Sequence, residues 1–209
     1  MRYIIWDFNG TIIDDTQLCL DVENYMLEER GMKHGFTKEW YKDNFCFPVY
    51  EYYFKLGYTF ETETYDDIAY EFNILYNKRF HECGLNEGFE EKINESIGKG
   101  YKNVILSASH QDNLIRQCKE LNIDKYFEEL IGIDDILAGS KIDRAKTWMQ
   151  GNDIDVENCI LLGDSTHDGD VAKELDIDNY VLIANGHQSY NVLKEYSDNV
   201  VHTLFEVEI

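Results

Sequence analysis

The sequence predicts an α/β protein: a doubly wound, Rossmann-like parallel sheet with an all-helical domain inserted just after its first strand. Three observations carry this. Several short apolar runs end abruptly in small or polar residues. Helical patterns separate the later runs. From about Asp15 to Leu85 the periodicity is helical throughout.

Taken in order, Tyr3-Ile4-Ile5-Trp6 ends at Asp7. Such runs, apolar without alternation, read as strands buried on both faces. Asp15–Arg30 sets Leu18, Val22 and Tyr25 on one helical face, with Gly31 able to cap its end. Thr37–Phe45 reads as a short helix. Pro48 suits the first turn of a third, which Gly57 can stop. Thr64 can cap a fourth, with Ile68, Phe72, Leu75 and Phe80 in register. The alternation then begins. Helix Phe89–Ile97 precedes strand Val104-Ile105-Leu106, which ends at Ser107. Helices Asp112–Leu121 and Asp143–Met149 precede Cys159-Ile160-Leu161-Leu162, which ends at Gly163-Asp164. Helix Asp168–Leu175 precedes Tyr180-Val181-Leu182-Ile183, which ends at Ala184-Asn185-Gly186. This order predicts a discontinuous core, residues 1–14 and 86–209, around an insertion, residues 15–85. Alternating strands and helices imply right-handed crossovers. Ligands of such domains sit beyond the carboxyl ends of the strands. Asp7, Ser107 and Asp164 all fall at such ends.

The formal net charge is −22. An anionic surface of this size repels DNA, RNA and acidic membranes, which excludes them as partners. A small phosphorylated ligand stays open, because one metal ion and one lysine reverse the potential locally. Five scattered cysteines without a CxxC pair fit a reducing cytoplasm rather than a zinc site or a disulfide framework. Met1 leads straight into a strand-like run, so no secretory signal is expected. No apolar stretch reaches the length of a membrane span.

Four places carry chemistry. Asp7-Phe8-Asn9-Gly10-Thr11 follows a buried strand, where a carboxylate can attack phosphorus and Gly10 lets the backbone turn. Ser107, with neighbouring N–H groups, can cradle phosphate. Lys141, in Gly139-Ser140-Lys141, can hold a phosphate oxygen. Asp164 and Asp168 bracket a strand-to-helix turn and suit a hard cation such as Mg²⁺. Each has a plainer reading: a turn residue, a helix cap, a solvated lysine, an acid at a helix start.

Together, these motifs resemble those of the haloacid dehalogenase superfamily, whose phosphatases carry Asp-x-Asp-x-Thr, a Ser/Thr, a Lys and Gly-Asp-x-x-x-Asp in this order. The inserted helices are similar to the small helical cap of phosphoglycolate phosphatase-like members. The resemblance implies a Mg²⁺-dependent phosphatase of small phosphorylated metabolites, cytoplasmic and a monomer or weak homodimer. It implies that Asp7 is the nucleophile. The Asn9 carbonyl, Asp7 and Asp164 would hold Mg²⁺, with Asp168 supporting. Ser107, the Ala108 N–H and Lys141 would hold the phosphoryl group, and Thr11 would brace the nucleophile loop.

One position departs. Asn9 stands where the family has the aspartate that protonates the leaving group and activates water, help worth roughly 10²–10⁴-fold. Four accounts follow. The substrates have good leaving groups; another group, such as His167 or a cap residue, supplies the proton; the protein binds phosphate as a sensor with little turnover; or Asn9-Gly10 deamidates to aspartate. Two sister chemistries also lack this aspartate. Dehalogenases need no magnesium, which the retained Asp164 and Asp168 argue against. Phosphonatases use a cap lysine, for which Lys33, Lys38, Lys42, Lys55 and Lys78 are the candidates. More than half of the aromatics fall between Phe36 and Phe80. They must form most of the cap's own core, with some left to face the cleft. The cap carries no arginine cluster for a second phosphate.

Overall fold

A computed structural model of the protein describes residues 1–134 and 141–209. Gly139 and Ser140, which lead into Lys141, lie outside the described residues. Eight strands are seen: β1 (Tyr3–Trp6), β2 (Ile13–Asp14), β3 (Gly84–Leu85), β4 (Lys102–His110), β5 (Glu129–Ile133), β6 (Cys159–Gly163), β7 (Tyr180–Ile183) and β8 (Val200–Val201). Six form one parallel sheet in the order β5-β4-β1-β6-β7-β8. The chain therefore starts in the middle of the sheet, winds out one way through β4 and β5, then the other way through β6. The strand order reverses at β1, which opens a crevice at its carboxyl end.

The continuous apolar runs are explained by burial on both faces. Ile4, Trp6, Ile105, Ile160 and Leu162 pack on one side against Phe89 and Ile93 of α5 (Phe89–Gly98) and Leu114 and Cys118 of α6 (Gln111–Glu120). Tyr3, Ile5, Val104, Leu106 and Leu161 pack on the other. There they meet Ala145 and Met149 of α7 (Ile142–Gly151) and Val171 and Leu175 at α8 (Thr166–Glu174). A ninth helix, α9 (Tyr190–Tyr196), covers β7 and β8.

Four helices fill the segment between β2 and β3: α1 (Thr16–Glu29), α2 (Lys38–Asn44), α3 (Val49–Leu56) and α4 (Tyr65–Arg79). Their ends are set by the expected residues. Thr37 caps α2, Thr64 caps α4 in a reciprocal box with Asp67, and Gly57 ends α3 with φ +105°. Pro48 sits one place earlier than expected, before the first turn of α3. Tyr41, Tyr52, Tyr53 and Tyr58 are buried in the core of this segment. β2 and β3, the two connectors, pair antiparallel with each other. The helical reading of residues 15–85 therefore overruns by two residues, because Gly84 and Leu85 belong to a strand.

The helical segment is also tied to the far side of the sheet. Lys42 Nζ donates to Ala184 O at 2.7 Å and Ser189 N–H to Lys42 O at 3.0 Å. Gln188 Nε2 donates to Phe45 O at 2.9 Å, and the Tyr41 hydroxyl and His187 Nδ1 are hydrogen-bonded at 2.8 Å. Among the described residues no helix is long and apolar enough to cross a membrane.

Candidate active site

The Asp7 N–H donates to Leu162 O at 2.8 Å, so sheet pairing carries Asp7 to the carboxyl edge beside β6. The chain turns at Gly10, with φ +74°. A Cβ there would lie 2.3 Å from Asp164 Oδ2 and 2.6 Å from the His187 ring, so only glycine lets the loop pass. Gly10→Ala is expected to cost about 2 kcal/mol or more of stability, read as a lower midpoint of urea unfolding.

Lys141, at the start of α7, reaches into the crevice. Its Nζ donates to Asp7 Oδ1, to Asp168 Oδ1 at 2.7 Å and to Leu106 O at 3.2 Å. Asp168 Oδ2 accepts from the N–H of Ser165 at 3.0 Å and of Asp164 at 3.2 Å, and from the Ser165 hydroxyl at 2.7 Å. Both oxygens of Asp168 are thus engaged in holding the loop and the lysine. Thr11 is fully buried and its hydroxyl donates to Asp164 Oδ1 at 3.3 Å. Asn86 Nδ2 ties the carbonyls of Gly10, Thr11 and Ile13 together.

The carboxyl oxygens of Asp7, Asp164 and Asp168 come within 4.8 Å of one another. Lys141 serves two of them and can neutralise only one. Burial opposes ionisation of Asp168, but Lys141 and Ser165 outweigh it and hold that carboxyl below its usual range. Burial, with Asp168 and Asp164 close by, pushes Asp7 well above the usual range despite Lys141. Burial and Asp168 push Asp164 up to about 6. Burial also opposes the charge on Lys141, and the two carboxylates outweigh it. Lys141 can match only one of the three carboxyls, and the other two are hard oxygen donors whose ionisation a divalent cation would restore.

Ser107 differs from expectation. β4 runs on to His110, and α6 begins at Gln111 with the His110 side chain as its cap. Ser107 is therefore a strand residue rather than a helix cap. It is buried, and its hydroxyl accepts the Ser109 N–H at 3.0 Å. Ala108, Ser109 and His110 face the cavity.

Asn9 is held on both sides. Its Nδ2 donates to Asp15 Oδ2 at 2.7 Å and to the Tyr76 hydroxyl at 3.0 Å, and its Oδ1 accepts from the Ser109 hydroxyl at 2.8 Å. Asp15 Oδ1 takes the Gly10 N–H at 2.9 Å. That nitrogen is the atom that would attack Asn9 in deamidation, so this geometry opposes the reaction. Asp15 also pairs with His187 Nε2 at 3.2 Å. Burial opposes both charges, yet the pairing lowers Asp15 and lifts His187 to about 9. The cluster of Asp15, Cys19 and His187 is thus an internal ion pair with a neighbouring thiol.

A cavity between the strand ends and the helical segment joins these groups. Its far wall is aromatic, with Phe45, Phe47, Tyr53 and Phe72 among its residues. His167 stacks on Phe47 at 4.4 Å, and burial lowers its pKa. Glu23 also lines the cavity, and burial pushes its carboxyl up to about 8 against the pull of Tyr52 and His187. A raised carboxyl contributes stability that is whole below its unfolded pKa, near 4.3, and is lost as pH rises through about 8. Glu23→Gln and wild type are therefore expected to melt together near pH 4. The variant should gain steadily up to about pH 8 and hold its lead above it.

Residues 4–182 match the family model described as haloacid dehalogenase-like hydrolase. The chain belongs to the haloacid dehalogenase-like hydrolase family. Membership makes it a hydrolase. Pyrophosphatase PpaX of Listeria monocytogenes serotype 4a is 25% identical over 174 residues, 81% of this chain and 77% of the relative. A haloacid dehalogenase-like family hydrolase from Streptococcus pneumoniae superposes with a TM-score of 0.82 at 20% identity, over 99% of this chain and 96% of its own. A protein described as a predicted phosphoglycolate phosphatase from Haemophilus somnus 129PT does so with 0.74 at 15% identity, over 98% and 95%. These two share the fold.

In this haloacid dehalogenase-like hydrolase, Asp7, Asn9, Lys141, Asp164 and Asp168 line one cavity. Sequence reading missed Asp15, Ser109, Asn86, Tyr76 and His187. One signal for His187 was present: it follows Ala184-Asn185-Gly186 at a fourth strand end. None of Lys33, Lys38, Lys42, Lys55 and Lys78 lines the cavity, where Lys141 is the sole lysine among the described residues. Lys42 is half-buried but spends its ammonium on Ala184 O. A phosphonatase lysine must reach substrate, so this geometry argues against that chemistry.

Proposed function

We propose that this hydrolase is a phosphatase of small organic phosphate esters, working through an aspartyl-phosphate on Asp7. The observation that carries the reading is the convergence of Asp7, Lys141, Asp164 and Asp168 at the inner end of an aromatic cavity. Asp7, the Asn9 carbonyl and Asp164 would hold Mg²⁺, with Asp168 orienting Lys141 and the loop. Bound there, Mg²⁺ would neutralise charge between the nucleophile and the phosphoryl group and keep Asp7 ionised at neutral pH.

In this reading an Asp7 oxygen attacks phosphorus. The ester oxygen leaves with its electron pair and takes up a proton. Water then attacks the acyl phosphate, gives up a proton, and inorganic phosphate departs as the Asp7 carboxylate is restored. Lys141 and the Ala108 N–H stabilise charge on the equatorial oxygens. Asn9 positions and does not exchange a proton, which favours leaving groups that depart readily.

The PpaX relatives are named pyrophosphatases, and phosphate is such a leaving group. The cavity wall argues for an organic group instead. Arg30 is paired with Glu63 and Glu71, Arg79 with Glu82 and Asp21, and no arginine lines the cavity among the described residues.

The test is hydrolysis of an aryl phosphate with Mg²⁺ and after EDTA. Turnover should fall to background on chelation and return with added Mg²⁺. Turnover that persists in EDTA removes the reading. Phosphate binding without turnover on a broad ester panel would move the protein to a sensor role, the alternative that Asn9 favours.

A further inference from the structure

We propose that the substrate's leaving group carries a positive charge, an ammonium or quaternary amine, bound by Glu23 within the aromatic wall of the cavity. The inference rests on the phosphatase reading for where the phosphoryl group sits.

Asp15, Cys19 and Glu23 follow one another at i, i+4 and i+8 along a single stripe of α1, and all three line the cavity. The stripe starts at the residue that holds Asn9. It ends at Glu23, about 12 Å of helix rise further on. Glu23 is more than nine-tenths buried. Among the described residues its carboxyl has one hydrogen-bond partner, the Tyr52 hydroxyl, which donates to Oε2 at 2.7 Å. A carboxyl in such surroundings is costly unless a partner repays its desolvation. No lysine or arginine of the helical segment is paired with it among the described residues.

Three further facts point to a cation as that partner. The cavity that Glu23 lines also carries Phe45, Phe47, Tyr53 and Phe72, and ring faces attract ammonium groups. The cavity has no arginine for a second anion among the described residues, while Glu23 places a carboxyl two helical turns along α1 from the residue that holds Asn9. With Mg²⁺ held beside Lys141 the site would be cationic where phosphate sits, and a bound ammonium would draw Glu23 into its charged form beyond it, the polarity of a zwitterionic ester. The third fact is Asn9. An ammonium on the leaving group withdraws electrons from the departing oxygen and lowers its basicity, so the departure needs less of the proton that Asn9 cannot give.

The test compares aminoalkyl and trimethylammonioalkyl phosphates, two to six carbons long, with uncharged alkyl phosphates of equal length. Wild type and Glu23→Gln are assayed at pH 7.5 with Mg²⁺. Glutamine keeps the shape and the bond from Tyr52 but not the charge. The cationic esters should exceed their neutral partners in kcat/KM by about tenfold or more in wild type, and Glu23→Gln should bring that ratio close to one. A ratio near one in wild type, or a ratio unmoved by Glu23→Gln, overturns the proposal. Calorimetry with butyltrimethylammonium needs no turnover and separates the two readings. Binding by wild type and its loss in Glu23→Gln would uphold the cation site even if every ester proved inert. No binding by wild type would overturn it.

Discussion

Asp7→Asn should lower turnover of an aryl phosphate by about 10⁴-fold or more, because no other group can form the acyl phosphate. The same variant should fold at least as well as wild type. Asp7 is one of three crowded carboxylates, and burial already holds its pKa well above the usual range. An amide there removes a suppressed charge and leaves Lys141 wholly to Asp168, its partner at 2.7 Å. The loss of rate is therefore readable apart from any loss of structure. Rapid-quench capture of phosphate on the peptide containing Asp7, present in wild type and absent in Asp7→Asn, makes the decisive measurement. A variant retaining more than a few per cent of the rate would mean that a different nucleophile is at work.

Asn9→Asp should not simply restore the family's acid. The Asn9 amide donates to Asp15 Oδ2 at 2.7 Å, and aspartate would set oxygen against oxygen in a buried place. One carboxyl of the pair must then hold a proton, or the loop must shift. We expect a cost of about 1–3 kcal/mol at pH 7, several degrees of melting temperature. Adding Asp15→Asn returns a donor opposite the new carboxylate. The same change takes the carboxylate from His187 Nε2, so the double variant should stay less stable than wild type, yet show a coupling of about 1 kcal/mol or more between the two sites. Its carboxylate would stand at the position of the family's acid, and alkyl phosphates with poor leaving groups should gain about 10²-fold in kcat. Additive losses in the double variant would show that Asn9 and Asp15 do not work as a pair.

The parallel-sheet strands around the site could be read from sequence because two-sided burial leaves a plain mark: short apolar runs cut off where the crevice begins. That mark located Asp7 and Asp164, and helix caps such as Thr37, Thr64 and Gly57 located the inserted helices. β5 was hidden by Gly132, which breaks its apolar run. A Cβ at that position would lie 2.7 Å from Ser109 O. β2, β3 and β8 are two residues each, too short for any period to appear. Ser107 closes its apolar run, which points to a helix start beside a phosphate cradle, although backbone pairing continues to His110. Asp15 was beyond reach for another reason. An acid before a helix ordinarily faces water, and only the folded chain shows that a histidine 172 residues away shares its burial.

The ties between α2 and the segment after β7 set a clock. For α2 to part from the sheet, the bonds of Lys42 to Ala184, Ser189 to Lys42, Gln188 to Phe45 and Tyr41 to His187 must open together. At a net of about 0.5–1.5 kcal/mol each, they make the open form a brief and rare visitor. How often α2 leaves the sheet is then set by four bonds that touch none of the reacting atoms.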